Sequence, residues 1–346
     1  MHYMVNIGHP AHVHFFRNFL QIMRSRGHTF LVTARQKEAT LHLMRAYGIP
    51  YHELGRHERS AAAKAVGMLR TDAALLKLAR KSRPDGVIGV SNMYGAQVAR
   101  VLSRPSFVFT DTEQAWLENS LAFPFATHIL VPSAYRGEFG RRAAKVVRYD
   151  GFKELAYLHP DYFRPDTAVV RELGLAPGER FAVVRFVSWG AAHDAGHRGL
   201  TAEQRNQLVL GLASKVKVFV SSEAPLPESL ARFALPLAPE KVHHVLAQAS
   251  LYVGEGATMA CEAAVLGTPT VYVNPISAGT LEEFENRYGL IVGYREGSKV
   301  LDKSLELLAD KGSAEDWKRR RTRLLGEKID VTKFMVDFVE SHTIAA

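Results

Sequence analysis

The segment Gly254-Glu255-Gly256-Ala257-Thr258-Met259-Ala260-Cys261-Glu262, continued by Ala263-Ala264-Val265-Leu266-Gly267-Thr268-Pro269, sets a small-residue turn before a helical stretch. Gly256 lets backbone approach a ligand closely. A helix beginning near Thr258, with Ala257 before it, aims unsatisfied N–H groups and a positive dipole end at the same point, which suits a phosphate. Glu262 follows Thr258 by one turn on the same face, where its carboxylate can accept from ribose hydroxyls. Without a ligand, these residues make an ordinary strand–helix turn with a solvated Glu.

Imidazoles and carboxylates gather elsewhere. Gly8-His9-Pro10-Ala11-His12-Val13-His14 is a short turn with Pro10 suited to the first helical position. Ser91-Asn92-Met93-Tyr94-Gly95 opens another helix, and Asp111-Thr112-Glu113 follows an apolar run. Far along the chain, Ser188 to Gly199 carries His193, Asp194, His197 and Arg198. Arg185 lies inside the apolar strand before it, and a buried cation needs an anion, either Asp194 or a ligand phosphate. Imidazole titrates near neutral pH, so His12 and His193 are candidates for proton transfer beside Asp111 and Glu113.

The spacing of His193 and His197 imitates a zinc-protease helix, with Asp194 where Glu belongs. Gly190, Gly196 and Gly199 favour a loop, and His12 and His14, two apart, face away from each other on a helix. No metal and no other cofactor is expected. Cys261 sits in an Ala-rich stretch without an adjacent His and reads as packing. As the only cysteine, it forms no internal disulfide, which fits a reducing cytoplasm.

Elements that would position these groups follow from periodicity. Strand-like runs at Tyr3–Ile7, Thr29–Thr33, Tyr51–Leu54, Gly86–Val90, Ser106–Thr110 and His128–Val131 alternate with helical patterns. Gly27 and Gly48 stop the first two helices, and a longer one runs from Ala61 to Lys81. The alternation resumes with Phe181–Val187, Lys217–Ser221, Leu251–Val253, Thr270–Val273 and Leu290–Val292. Thr201 and Gln204 have capping-box spacing, and the chain after Ser298 is helical. Such a pattern predicts two α/β domains with parallel sheets, 1–150 and 151–330, divided where Tyr149–Pro177 reads as linker. A last helix, 331–346, is expected to pack back on the first domain.

The 346 residues are 47% hydrophobic and 23% charged, which supports real cores. No run approaches the ~20 apolar residues of a membrane span. Met1 to Ile7 has no basic segment before its apolar stretch and reads as a core strand, so a cytoplasmic location is expected. The net charge of +9 attracts polyanions, but no nucleic-acid signature accompanies it, and no nucleic-acid partner is expected. The Lys318–Arg321 cluster permits peripheral contact with an anionic membrane, against the plainer reading of a solvated helix face.

Together, Ile7–Phe16, Asp111-Thr112-Glu113, Gly151-Phe152-Lys153-Glu154, Arg185-Phe186, His193-Asp194 and Gly256–Ala264 form a recognisable pattern. Over nearly its whole length the chain resembles a bacterial and archaeal family, domain of unknown function 354, itself similar to GT-B glycosyltransferases. Asp85–Ala115 and Gly256–Pro269 also look like parts of the peptidoglycan GlcNAc-transferases, whose UDP-binding helix carries a Glu matching Glu262. The non-hydrolysing UDP-GlcNAc 2-epimerases share the architecture.

The resemblance implies a GT-B-like fold, two Rossmann-like domains with parallel sheets facing across a cleft. It implies a metal-independent glycosyltransferase that takes a nucleotide-diphosphate sugar and an unknown acceptor, in surface polysaccharide or glycoconjugate synthesis. The second domain would hold the donor through Gly256, Ala257, Thr258 and Glu262, with Arg185, Asp194 and Arg198 near the phosphates. The first would hold the acceptor near Gly8, His9, His14, Asn92 and Tyr94. His12 or Asp111 would act as base, with Glu113 in support and His193 as a further candidate. An NDP-sugar 2-epimerase and a non-catalytic binder of sugar nucleotides or polyanions are the alternatives.

Overall fold

The computed structural model describes residues 1–56, 61–188 and 199–344. His193, Asp194 and Arg198 therefore lie outside the described residues. The chain forms two compact units, Met1–Tyr157 with Ile329–Ala346, and Leu158–Lys328.

Seven strands build the first unit: β1 (His2–Ile7), β2 (Thr29–Gln36), β3 (His52–Arg56), β4 (Gly86–Val90), β5 (Ser106–Phe109), β6 (His128–Pro132) and β7 (Val146–Tyr149). They pair in the order β3-β2-β1-β4-β5-β6-β7, every pair parallel. Parallel strands need helical crossovers that cover the sheet, so their sequences are apolar throughout instead of alternating. β1 is the clearest case, with Tyr3, Met4, Val5 and Ile7 fully buried. Strand order reverses between β1 and β4. At such a switch point the loops after the two strands diverge, leaving a crevice at their carboxyl ends.

β7 was not legible in the sequence. It is a four-residue edge strand with Arg148 exposed and Val146 and Val147 only half-buried, so it carries no buried apolar run. The boundary between the units falls at Tyr157/Leu158, because the first part of the supposed linker belongs to the first core. Phe152, Leu155, Ala156 and Tyr157 are fully buried. The Asn18 amide donates to the Ala156 carbonyl at 2.8 Å, and Arg17 donates to the Tyr157 carbonyl at 3.0 Å. The Thr332 hydroxyl donates to that same Ala156 carbonyl at 2.7 Å, tying in the helix Val331–Ile344. On this helix Phe338 meets the rings of Phe107 and His128 edge-on, and Glu340 reaches His28 at 2.8 Å.

The second unit contains β8 (Phe181–Phe186), β9 (Lys217–Ser222), β10 (Leu251–Gly254), β11 (Thr270–Val273) and β12 (Ile291–Tyr294). Their order, β12-β11-β10-β8-β9, is again parallel, and it switches between β8 and β10. After β10 the helix Ala257–Leu266 is enclosed from Ala260 to Leu266 and ends at Gly267, whose φ of 81° is the left-handed stop that glycine allows. The helix Ala202–Ala213 starts with both halves of the Thr201/Gln204 capping box.

The Lys318–Arg321 cluster lies on the helix Ser313–Glu327 but is not a uniform cationic face. Arg320 and Arg321 turn inward to the carbonyls of Gly289 and Val265, while Arg319 pairs with Asp316 at 2.8 Å. Among the described residues no helix is long and apolar enough to cross a membrane.

Candidate functional site

Each sheet has its own cluster at the switch point. In the first unit, β1 leads into Gly8 and His9, and the His9 ring caps the helix Pro10–Ser25 by accepting from the Ala11 N–H at 3.2 Å. One turn on, His12 Nδ1 receives the Gly8 N–H at 3.4 Å. Burial, helped by the Lys153 and Lys37 ammonium groups, pushes His12 down to about 3. After β4, Ser91 adopts a left-handed φ of 43°, uncommon for a residue with a side chain. Its hydroxyl lies 3.2 Å from Thr110 Oγ1 and 3.4 Å from Asn119 Oδ1. Asn92 Oδ1 accepts from the Gly95 N–H at 2.9 Å and from Asn6 at 3.0 Å, so one side chain caps the helix Met93–Val101 and ties β4 to β1. The Arg35 guanidinium stands 4.7 Å from the Tyr94 ring centre.

Beyond β5, Asp111 meets Lys153 at 2.6 Å, and Lys153 also lies 3.8 Å from Glu154. Lys153 comes from the segment after β7, so this pair links the ends of two strands that flank β6. Glu113 accepts the Arg136 N–H at 3.0 Å. Burial and then the Glu113 and Asp111 carboxylates push the Tyr135 hydroxyl up to about 12. Tyr149 is likewise held far above the usual phenol range, by burial first and then by Asp111 and Glu154. These phenols therefore remain protonated, and the Tyr135 hydroxyl accepts from the Asn119 amide at 3.4 Å.

In the second unit the buried charge is Glu255, with no exposed surface. It accepts from the Leu200 N–H at 2.7 Å, the Val187 N–H at 3.3 Å and Arg205 at 2.7 Å. Val187 and Leu200 bracket the stretch that carries His193, Asp194 and Arg198, so one carboxylate staples both its ends. Arg185 donates to Ser221 and to Glu223, each at 2.8 Å. The partner found is thus Glu223, whose other oxygen accepts the Ser188 N–H and hydroxyl at 3.0 Å. A Cβ on Gly254 would lie 2.9 Å from the Arg185 Cβ and closer still to the Tyr252 hydroxyl; one on Gly256 would meet Val187 at 3.3 Å. A side chain has no room at Gly254, and one at Gly256 would require Val187 to give way. Gly256 gives the helix no side-chain cap, and Ala257 and Thr258, its first two residues, are exposed and half-exposed.

Two residues lie deeper than the sequence implied. His14 is buried, with Nδ1 3.2 Å from the Tyr47 hydroxyl and its ring stacked on Tyr157 at 5.5 Å. A two-residue step on a helix carries it round from His12 toward the core. Glu262 is also buried, with Oε1 3.0 Å from His243 Nε2. From its fourth residue the helix is packed on all sides, so its side chain is enclosed with an imidazole.

Sequence reasoning missed Glu255, Arg205, Glu223 and His243, and saw Lys153 only as part of a pattern. An acid placed directly between the two glycines after an apolar strand was the available signal for Glu255. Nothing local marks Arg205, Glu223 or His243, whose partners are 50, 38 and 19 residues away.

The family model described as Protein of unknown function (DUF354) matches residues 1–343. An uncharacterised protein of Methanocaldococcus jannaschii is 23% identical over 281 residues, covering 78% of this chain and 81% of that one. Among solved structures, the UDP-GlcNAc 2-epimerase of Neisseria meningitidis bound to UDP-GlcNAc is similar with a TM-score of 0.67 at 11% identity, covering 99% of this chain and 100% of that one. The spinosyn rhamnosyltransferase complexed with thymidine diphosphate gives 0.64 at 14% identity, with 98% and 100% covered. MurG of Acinetobacter baumannii gives 0.60 at 17%, with 98% and 99% covered. At these identities the likeness is one of fold, and the fold is that of the GT-B glycosyltransferases and UDP-GlcNAc 2-epimerases.

Proposed function

The chain belongs to the DUF354 family, and we propose that it is a metal-independent glycosyltransferase using a nucleotide-diphosphate sugar, in surface polysaccharide or glycoconjugate synthesis. The observation that carries this reading is the turn at the β8/β10 switch point. There Gly254 is too closely packed to bear a side chain, one on Gly256 would press on Val187, and the helix after them has no side-chain cap. A diphosphate accepts from the N–H groups of Gly256, Ala257 and Thr258, and its negative charge meets the positive helix end. With His243 fixing the carboxylate, Glu262 accepts from the ribose hydroxyls. Arg185, held by Ser221 and Glu223, adds positive field near the phosphates. Asp194 and Arg198 belong to the stretch whose flanking residues, Val187 and Leu200, are held by Glu255. Fold neighbours solved with UDP-GlcNAc and thymidine diphosphate support a donor of this class.

The acceptor belongs to the first unit. As its hydroxyl oxygen bonds to the anomeric carbon, the bond from that carbon to the diphosphate oxygen breaks and the nucleoside diphosphate departs. The hydroxyl proton passes to a base at the β1/β5 strand ends, where His12 and Asp111 are the available groups and Glu113 is a neighbour. Charge that grows on the leaving diphosphate is stabilised by donors already in place.

A thermal-shift series with UDP-GlcNAc and other sugar nucleotides, on wild type and Glu262→Ala, tests the reading. Ligand at 100 times its dissociation constant adds about 2.7 kcal/mol to stability. A shift that Glu262→Ala diminishes supports the donor site, whereas no shift with any nucleotide sugar removes it. A second reading, an NDP-sugar 2-epimerase, is favoured by the higher TM-score to the Neisseria enzyme than to MurG. It predicts conversion of the sugar nucleotide alone, with solvent deuterium in the product. A non-catalytic binder would instead keep its role when His12, Asp111 and Glu113 are replaced by Ala.

A further inference from the structure

The orientation of the His12 ring decides which of its nitrogens can meet a substrate. Nδ1 faces the Gly8 N–H at 3.4 Å, and a backbone N–H can only donate. Nδ1 must then present its lone pair, so the single proton of a neutral imidazole sits on Nε2. Protonating Nδ1 would set two N–H groups against each other. It would also put a cation in the first turn of the helix Pro10–Ser25, at the positive end of its dipole.

The surroundings act in the same direction. Lys37, just after β2, and Lys153, after β7, both bear on the ring, with Lys153 partly balanced by Asp111 at 2.6 Å and Glu154 at 3.8 Å. The His9 ring, from the helix cap, lies 5.8 Å away, and His9 Nε2 is 3.9 Å from Glu38. Burial adds the largest push toward the neutral ring.

Resting on the reading that the first unit takes part in the reaction, we infer that His12 is a neutral hydrogen-bond donor whose Nε2–H meets a negatively charged substrate oxygen, and that it is not the base. The hydroxyl proton of the acceptor then goes to Asp111, and the electron pair it leaves forms the new C–O bond. A neutral donor suits an oxygen that gains charge during reaction, because it needs no proton transfer of its own. Lys37 and Lys153 add to the positive field that such an oxygen would meet.

The first test needs no substrate. In protein labelled with ¹⁵N-histidine, the His12 ring, assigned by its loss in His12→Gln, should show its proton on Nε2. It should not titrate between about pH 5 and 8. A proton on Nδ1, or an ionisation within that range, overturns the donor role whatever the enzyme's activity proves to be. The second test uses UDP-GlcNAc as the probe, with nucleotide release or sugar conversion as the readout. His12→Gln, whose amide can still donate, should stay within about tenfold of wild type, while His12→Ala should lose about 10²-fold or more, as when one donor to a developing charge is removed. If Gln is as inactive as Ala, His12 is the base and the inference fails. If UDP-GlcNAc does not bind, the nucleotide-sugar reading falls for that probe, while the ring measurement still decides the donor assignment.

Discussion

The two strand-end clusters spend their charges in opposite ways. In the second unit Glu255 is sealed beneath Val187 and Leu200, and Arg185 is closed off by Ser221 and Glu223, so charge shapes backbone. What that cluster leaves at the helix start is peptide N–H and glycine. In the first unit His12, Asp111 and Lys153 come from three different strand ends, with Asp111 on Lys153 and the lysine bearing on His12. Glu113 follows Asp111 and accepts the Arg136 N–H. A frame of fixed dipoles suits holding an unchanging group such as a diphosphate. A set of titratable side chains suits a proton that must move. The same architecture, used twice, thus presents backbone dipoles at one set of strand ends and ionisable side chains at the other.

Removing the staple should break the comparison most severely. Glu255→Ala leaves Arg205 and two backbone N–H groups without their acceptor, and loss of one partner of a buried pair costs about 3–5 kcal/mol. Chemical denaturation should show that loss in the second unit. A cost below about 1 kcal/mol would mean the carboxylate is not structural.

Acid should then separate the units. Burial depresses His12 to about 3 and lowers His128, with His342 adding to the latter shift. The unfolded chain takes up these protons at about pH 6.5 while the folded chain does not. The contributed stability is therefore full above about 6.5 and falls with pH below that, for His12 down to about 3, by up to about 1.4 kcal/mol per pH unit for each group. In the second unit the exposed carboxylates lowered by their partners, Glu179 and Glu327, act only below the ordinary carboxylate range. Hydrogen exchange between pH 7 and 5 should find peptides of β1 and Pro10–Ser25 opening first. Earlier opening of the β8–β10 peptides would contradict the sign.

A smaller change sharpens the chemical side. Lys153→Met removes the partner of Asp111 and should cost about 1–3 kcal/mol in stability, as charged hydrogen bonds do. It should also lower kcat more than it raises KM, whereas an effect on stability alone would make Lys153 a structural residue. The smallest effect belongs to the capping box: Thr201→Ala should cost about 1 kcal/mol and leave nucleotide binding intact.

Much of this was legible because parallel sheets write themselves as apolar runs. β1, β4, β5, β8, β10 and β11 are all such runs, and the Gly and Pro residues between them mark the turns. The groups after those strands, His12, Asp111, Glu113 and Gly256, could be named as candidates from position alone. Depth could not. That Glu262 is buried beside His243 depends on what packs round its helix, and that partner lies 19 positions back. Lys153 escaped for a related reason: its segment, aromatic and polar, has the composition of a linker, yet Phe152 and Tyr157 are core.

The return of Val331–Ile344 to the first unit bears on how the chain is born. The first unit is interrupted: residues 1–157 leave the ribosome well before the helix that meets Phe107, His128 and His28, with the whole second unit made in between. The second unit, continuous from Leu158 to Lys328, can close while that helix is still unmade. During synthesis the older unit must wait for the younger, its aromatic edge left uncovered until the helix Val331–Ile344 emerges.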